Sequence, residues 1–435
     1  MIKHYTPDHL VSIIRKHLPK RITSILEPSV GNGALIHTLP DHRKSLCSIT
    51  AIDQNGNCID YISNEFDNKF KNVNFLRAEF LSWYEENKEL YKDTYDLVLM
   101  NPPFSAKLKS WIYFDGSKQP IELAFLKAAI QLCKSGGSII AIVPKSIISS
   151  ENKHSHSFRS SLINQYSVEY VYELESFDFP SIEGQFYILV IKKSQNSRSM
   201  ALIGSENDRI ILKKNFLKNS NYRLDFSYHD STRIYNSIVS RMELPLTKIH
   251  DLFDIYRGSS NLPFKNSMIL HTSSYKDGHW NHENSSIANK NSAYVYANKN
   301  DLILKRVGRN CVLTFGIYLL ERRQIISDCI LILRSKGIVD PIEALFSIRS
   351  IYANSLGRKL LQKGTGAQYI TINSLGELLI PIGVDKKFND EFYRYKKLCL
   401  KNDSSGMEYI EKRLMKRILK NDHDDGNIYT DNNLL

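Results

Sequence analysis

Short apolar runs alternate with amphipathic stretches over the first 195 residues. "RITSILEP", "SITAIDQN", "NVNFLRAE", "YDLVLMNPP" and "GSIIAIVPK" read as buried parallel strands. Between them, "GALIHTLPDH", "NCIDYISNEF", "FLSWYEENKEL" and "ELAFLKAAIQLCK" carry helical spacing. A strand–helix series of this kind predicts a doubly wound α/β sheet, with "VEYVYELE" and "GQFYILVIKK" closing it through an antiparallel edge. Residues 196–240 turn polar and irregular and read as a connecting region. Short β-like runs and Gly/Asn turns fill 241–385, two helices follow within 389–420, and an acidic tail occupies 421–435.

Composition narrows the class. The 435 residues, 42% hydrophobic, are enough for two or three domains with real cores. Six scattered cysteines contain no C-x-x-C pair, which argues against a disulfide framework or a structural zinc site and fits a reducing compartment. No signal-peptide core or membrane-length apolar stretch occurs, so a soluble, cytoplasmic protein without membrane contact is expected. A monomer is also expected. The net charge of +12 is uneven: residues 1–195 hold 22 Lys+Arg against 21 Asp+Glu, leaving 36 against 25 for the rest. A basic C-terminal half suits a polyanion, although a merely basic surface gives the same balance.

The chemistry sits at strand ends. Gly31 and Gly33 lie between the first strand and the next segment, but a dinucleotide fingerprint needs a third glycine where Ile36 stands. An ordinary tight turn explains the pair equally well. Asp53 ends the second strand, placed to accept ribose hydroxyls. Glu79 ends the third beside Phe80, a carboxylate for an adenine amino group and a ring to cover the base. Glu27, with Tyr5 and Thr6 upstream, suits an amino-acid moiety. Each acid alone reads as a solvated or helix-capping side chain. At successive strand ends they describe S-adenosylmethionine (SAM) better than NAD.

The fourth strand ends in Asn101-Pro102-Pro103-Phe104, with no acid, thiol or histidine. The prolines keep the Pro102 carbonyl out of a ladder and bias Asn101 toward extended backbone, so this strand end offers two oxygen acceptors, the Asn101 side-chain oxygen and the Pro102 carbonyl, beside the Phe104 ring.

In order, "YTPDHLVSII", "ILEPSVGNGALI", "AIDQN", "RAEFLSW", "DLVLMNPPF" and "ELAFLKAAIQLCKSGGSIIAIVPKSII" resemble the N6-adenine-specific DNA methyltransferases that place the SAM motif first and the target-recognition domain last. The resemblance implies a Rossmann-like class I SAM-dependent methyltransferase sheet over 1–195, and a β-rich, α+β recognition domain over 241–420. It also implies SAM contacts at Tyr5, Thr6, Glu27, Gly31, Asp53, Glu79, Phe80 and Phe125, a catalytic tip of Asn101, Pro102 and Phe104, and a second ring, Phe179, against the target base. On that resemblance the tip's two oxygens draw the N–H groups of an exocyclic adenine amine out of the ring plane, which needs no strong base, Phe104 offers a face to the base, and the base is flipped out of the duplex. Many relatives have tyrosine at the position of Phe104; stacking survives that change, a phenol hydroxyl role does not.

"DLFDIYRGSSNLP", "DLILKRVGRNCVLTF" and "LQKGTGAQYITINSLGELLIPI" resemble the recognition domains of type I specificity subunits, and appear once. Arg257, Lys305, Arg306, Arg309, Lys363 and the 364–366 turn are candidates for phosphates, Gln368 and Tyr369 for bases; solvated surface charge is the ordinary alternative for each. No metal is expected. No metal-dependent nuclease constellation is evident, and the chain opens almost at the methyltransferase motif. A modification enzyme acting on duplex DNA, paired with a separate restriction endonuclease, is therefore expected. The rivals are an RNA base or protein-glutamine methyltransferase using the same tip, and a DNA-binding protein with an inert fold.

Overall fold

The computed structural model describes residues 8–40, 46–66, 72–104, 111–174, 184–195, 197–240, 242–260, 269–276, 278–281, 294–363 and 368–419. Tyr5, Thr6, Phe179, the 364–366 turn and the 421–435 tail lie outside them. The chain forms two compact units, Met1–His229 and Asp230–Leu435.

The first unit is built on a nine-stranded sheet. Its strands are β1 (Ser24–Glu27), β2 (Ser48–Asp53), β3 (Val73–Arg77), β4 (Tyr95–Met100), β7 (Cys133–Pro144), β8 (Ser167–Glu173), β9 (Phe186–Lys192), β10 (Ser199–Ile203) and β11 (Arg209–Lys213). A separate hairpin, β5 (Trp111–Phe114) and β6 (Ser117–Pro120), falls between β4 and β7. The sheet order is β11-β10-β8-β9-β7-β4-β1-β2-β3. Strands β3, β2, β1, β4 and β7 run parallel, and β9 is antiparallel to both β7 and β8. This is the doubly wound α/β sheet that the strand–helix alternation predicts, with the Rossmann-like order that the family resemblance implies.

All six β4 residues are buried, because Leu97 and Leu99 face one core and Val98 and Met100 the other. The helices are α1 (Asp8–Lys16), α2 (Gly56–Phe66), α3 (Phe80–Tyr91), α4 (Ile121–Leu132), α5 (Lys145–Ser149) and α6 (Lys153–Gln165), while α7 (Phe226–Ser240) begins at the end of this unit and continues into the sequence of the second. The helix expected over 33–42 is, among the described residues, only a 3₁₀ turn at Ile36–Thr38. Pro40 disfavours helical backbone at Leu39, which is extended (φ −69°, ψ 132°).

The segment expected to connect two domains, 196–240, does more than connect. β10 pairs parallel with β8, and β11 pairs antiparallel with β10, extending the sheet. Both strands are only five residues long; β10 buries the apolar run Met200–Ile203, whereas β11 alternates exposed Arg209, Ile211 and Lys213 with half-buried Ile210 and Leu212. Fully buried Arg159 donates to the carbonyls of Ile147, Ser150 and Tyr222 (2.9, 2.7 and 2.8 Å), fastening the end of this segment to α5 and α6.

The second unit contains a four-stranded antiparallel sheet ordered Phe253–Arg257, Ile330–Ser335, Leu302–Lys305, Gly316–Ile317, and smaller strand pairings. The helices Pro341–Tyr352, Asn389–Leu400 and Ser404–Leu419 share its core. A buried network joins them. Arg349 pairs with Glu411 (Nε–Oε1 2.6 Å, Nη2–Oε2 3.2 Å) and donates to the Phe315 carbonyl (2.8 Å), while the Tyr395 hydroxyl donates to Glu411 (2.9 Å).

Candidate active site

The chain order reverses at β1: β2 and β3 extend the sheet on one side, β4 and β7 on the other. A cleft outside the carboxyl ends of neighbouring strands is expected at such a point. A cavity of about 1500 Å³ opens there. It is lined by Glu27, Gly31, Asp53, Glu79, Phe80, Asn101, Pro102, Phe104 and Phe125, thus gathering every described residue that the sequence assigned to the cofactor or the tip.

Local geometry explains the gathering. Gly31 and Gly33 have φ of +52° and +75°. A Cβ on Gly33 would stand 2.9 Å from the Phe66 ring, so the turn needs glycine there for both backbone and space. The turn aims the Gly31 N–H at Asp53 Oδ2 (2.8 Å), and the Asn55 N–H meets Asp53 Oδ1 (2.8 Å). Asp53 is thereby fixed at the end of β2, with lone pairs left for a ligand.

Glu79 caps α3. Its Oε1 accepts from the Leu81 N–H (3.2 Å), and its Oε2 accepts from the Ser82 N–H and hydroxyl (2.7 and 2.9 Å). The helix-cap alternative is therefore realised, and the cap also holds the carboxylate on the cleft wall. Phe80 and Phe125 are buried with ring centroids 4.8 Å apart. Phe104 packs on Phe186 (4.8 Å), so one side of its ring is spent on the core while it still borders the cleft.

Among the described residues, two buried side-chain oxygens in this cleft have no partner. Asn101 Oδ1 is buried and accepts no hydrogen bond, although the Asn101 carbonyl is held by the Ser29 hydroxyl (2.9 Å). Glu27, 1% exposed, likewise has an unpartnered Oε2. Burial pushes the Glu27 carboxyl well above the usual carboxylate range, Asp53 adds to the push, and the Ile36 N–H pulls back. A buried acceptor without a donor is costly, which marks both oxygens as places for a ligand.

The sequence reading missed the hairpin wall. Ile112, Tyr113, Phe114, Asp115 and Gly116 line the same cleft. The signal was present: Asp115-Gly116 between two short runs is a turn dipeptide, and both residues have positive φ (52° and 71°).

In the second unit, the three segments assigned to recognition come together. Arg257 pairs with Asp328 (Nη2–Oδ2 3.0 Å), and the Arg306 Nε donates to the Asp328 carbonyl (2.7 Å). Val307 and Lys363 each bridge to Tyr369, and the Gly308 N–H donates to the Gln368 carbonyl (2.9 Å). Lys305 is half-buried over the Tyr275 ring (5.0 Å), and burial pushes its ammonium pKa down. Arg309 is exposed and Tyr369 is partly so. Arg257 and Arg306 thus already have an anionic neighbour. Among the described residues, no group of three His, Cys, Asp or Glu side chains could hold a metal ion, and no helix is long and apolar enough to cross a membrane.

Residues 23–179 match the Eco57I restriction-modification methylase family. The chain is 26% identical over 120 residues to the type II restriction enzyme and methyltransferase RM.BcgI of Heyndrickxia coagulans, covering 27% of this chain and 18% of that protein. It is 26% identical over 214 residues to the type II methyltransferase M.HincII of Haemophilus influenzae, covering 46% of this chain and 38% of that one. The chain therefore spans well under half the length of these relatives. Among solved structures, the type IIG restriction endonuclease BpuSI aligns with a TM-score of 0.47 and 13% identity over 94% of this chain and 64% of its own.

Proposed function

We propose that this chain is a SAM-dependent DNA methyltransferase of a restriction-modification system, acting on the N6 amino group of an adenine flipped out of duplex DNA. The observation that carries this reading is the buried, unpartnered Asn101 Oδ1 in one cleft with Glu27, Asp53 and Glu79. SAM supplies an electrophilic methyl carbon on a sulfonium. The residues around the cleft fit such a donor. Asp53 meets the ribose hydroxyls, Glu79 the adenine amino group, Phe80 and Phe125 the purine faces, and Glu27 the cationic amino-acid end. Asn101 Oδ1 and the Pro102 carbonyl accept the two hydrogens of the target amine, which frees its lone pair from the ring. Phe104 bears on the flipped base through the side not packed on Phe186. Tyr5, Thr6 and Phe179 keep their assigned roles as part of this proposal.

The second unit is proposed as the duplex-binding part, with Arg309, Lys363 and Lys305 on phosphates and Gln368 or Tyr369 toward bases. Arg257 and Arg306 act there through Asp328 as a shared positioning group. The protein works as a monomer in the cytoplasm beside a separate restriction endonuclease. Matches to proteins named as restriction-modification methyltransferases support this reading.

Labelled SAM incubated with duplex DNA, RNA and protein tests the reaction. Label is expected in duplex DNA alone, with base-resolution mapping placing it on adenine N6 at one sequence. Label confined to RNA or protein favours the rival substrates, and duplex binding without transfer favours an inert fold. Affinity for the duplex is also expected to fall steeply with salt, and Arg309→Ala to lower the slope of log K against log[salt] by about one. A flat salt response measured by fluorescence anisotropy would remove phosphate anchoring from the proposal.

A further inference from the structure

Three strand ends of the second unit meet at one place. Arg257 closes the strand Phe253–Arg257, Arg306 follows Leu302–Lys305, and Asp328 precedes Ile330–Ser335. The backbone there is locked. The Gly258 N–H donates to the Ile330 carbonyl (3.1 Å), the Ser259 N–H to the Ile326 carbonyl (3.0 Å), the Asp328 N–H to the Ser259 carbonyl (3.0 Å) and the Arg306 N–H to the Cys329 carbonyl (2.7 Å). Only glycine permits this approach: a Cβ on Gly258 would stand 2.0 Å from the Ser327 carbonyl oxygen. The main chain, rather than the long side chains, therefore brings Asp328 and the two arginines together.

Both guanidiniums turn the same side to Asp328. Arg257 directs Nε at the Asp328 carbonyl (3.3 Å) and Nη2 at Oδ2 (3.0 Å). Arg306 directs Nε at the same carbonyl (2.7 Å), with its Nη2 4.0 Å from Oδ2. They differ in exposure: the Arg306 side chain is 17% exposed, that of Arg257 49%. The hydrogen bond from Arg257 holds the Asp328 carboxyl below its ordinary range, so the acid stays ionised at neutral pH.

A guanidinium held by its Nε–Nη2 side keeps its Nη1–Nη2 edge for a second planar partner, and among the described residues that edge of Arg257 meets no acceptor. Charge decides what the partner is. Two arginines and one aspartate leave a single net positive charge, and the partly exposed Asp328 carboxylate repels a phosphate. Guanine offers N7 and O6, two acceptors at the spacing of the fork that carry no net charge. An already fixed side chain also has little conformational freedom left to lose on binding.

We propose that Arg257 reads a guanine in the major groove, donating from Nη1 and Nη2 to O6 and N7, with Asp328 as its positioning residue and the more buried Arg306 as a second donor on Asp328. This rests on the reading of the second unit as the duplex-binding part, and it assigns Arg257 to a base where the sequence suggested a phosphate. The recognised sequence therefore contains a guanine.

Base-resolution methylation mapping with the full chain gives the site. Fluorescence anisotropy then measures binding to duplexes in which each guanine of that site is replaced in turn by 7-deazaguanine, which pairs normally but lacks N7. At one position the native chain is expected to lose about tenfold in affinity. In Arg257→Met that loss is expected to shrink to under about twofold, with the slope of log K against log[salt] unchanged. Should Arg257→Met not fold, Arg257→Gln, whose amide prefers adenine, replaces it with the same expectation. Asp328→Asn is expected to weaken the same discrimination while tightening binding to a non-cognate duplex, which a merely structural role would not do. A loss in Arg257→Met that is equal on every duplex, with the slope lowered by about one, makes the residue a phosphate contact and overturns the proposal. An undiminished N7 dependence in either folded variant overturns it as well. So does a native site in which no guanine depends on N7, a result that needs no variant. If the native chain neither methylates nor binds a duplex, the duplex reading itself fails, which is a different outcome.

Discussion

Asn101→Ala is expected to reduce methyl transfer by about 10²–10³-fold while leaving donor binding intact. The reason lies in where the tip is held. Its backbone is fixed by the Ser29 hydroxyl on the Asn101 carbonyl and by the prolines that follow, so loss of the side chain does not release the loop. What goes is one oxygen that has no partner in the protein. A residue kept for stability would not leave a buried acceptor unsatisfied, and its removal should make the protein no less stable. Initial rates with labelled donor, donor titration and a thermal melt separate the three quantities. Donor affinity falling in step with the rate would move Asn101 from the amine to the nucleoside, and a large drop in melting temperature would make it a structural residue.

That prediction draws on what was already legible along the chain. The apolar run of β4 and its abrupt Asn-Pro-Pro-Phe ending needed only local rules: a strand buried on both faces has no polar alternation, and proline ends a ladder. The acids at the ends of β1, β2 and β3 were legible for the same reason, since parallel strands deliver their carboxyl ends to one side of a sheet. Local rules failed where distant partners decide. Nothing in the sequence tells that Asp328 stands against Arg257, 71 positions away, or that Phe186 takes one side of Phe104. The unpartnered state of Glu27 Oε2 also depends on the whole wall around it. The strands within 196–240 carried a signal, "MALI" in β10 and "IIL" in β11, but each run is short and set between polar stretches, so their place in the sheet is decided by pairing with distant β8.

The largest stability effect is expected in the second unit, from Arg349→Ala. Glu411 is 5% exposed and takes two of the three hydrogen bonds that the Arg349 guanidinium donates. Without the guanidinium, the carboxylate keeps only the Tyr395 hydroxyl in an otherwise apolar core, and the Phe315 carbonyl also loses its donor. Breaking one side of a buried ion pair costs about 3–5 kcal/mol, most of it the desolvation of the charge left behind. The pair need not be worth that much in itself. Replacing both members by apolar residues of similar volume, Arg349→Met with Glu411→Leu, is therefore expected to recover most of the loss. Urea unfolding of the two variants beside the native chain, followed at Trp280, the tryptophan of this unit, measures both terms. A single variant costing under about 1 kcal/mol would mean that water reaches Glu411. A double variant as unstable as the single one would mean that packing around the helix Pro341–Tyr352, rather than charge, holds the unit together.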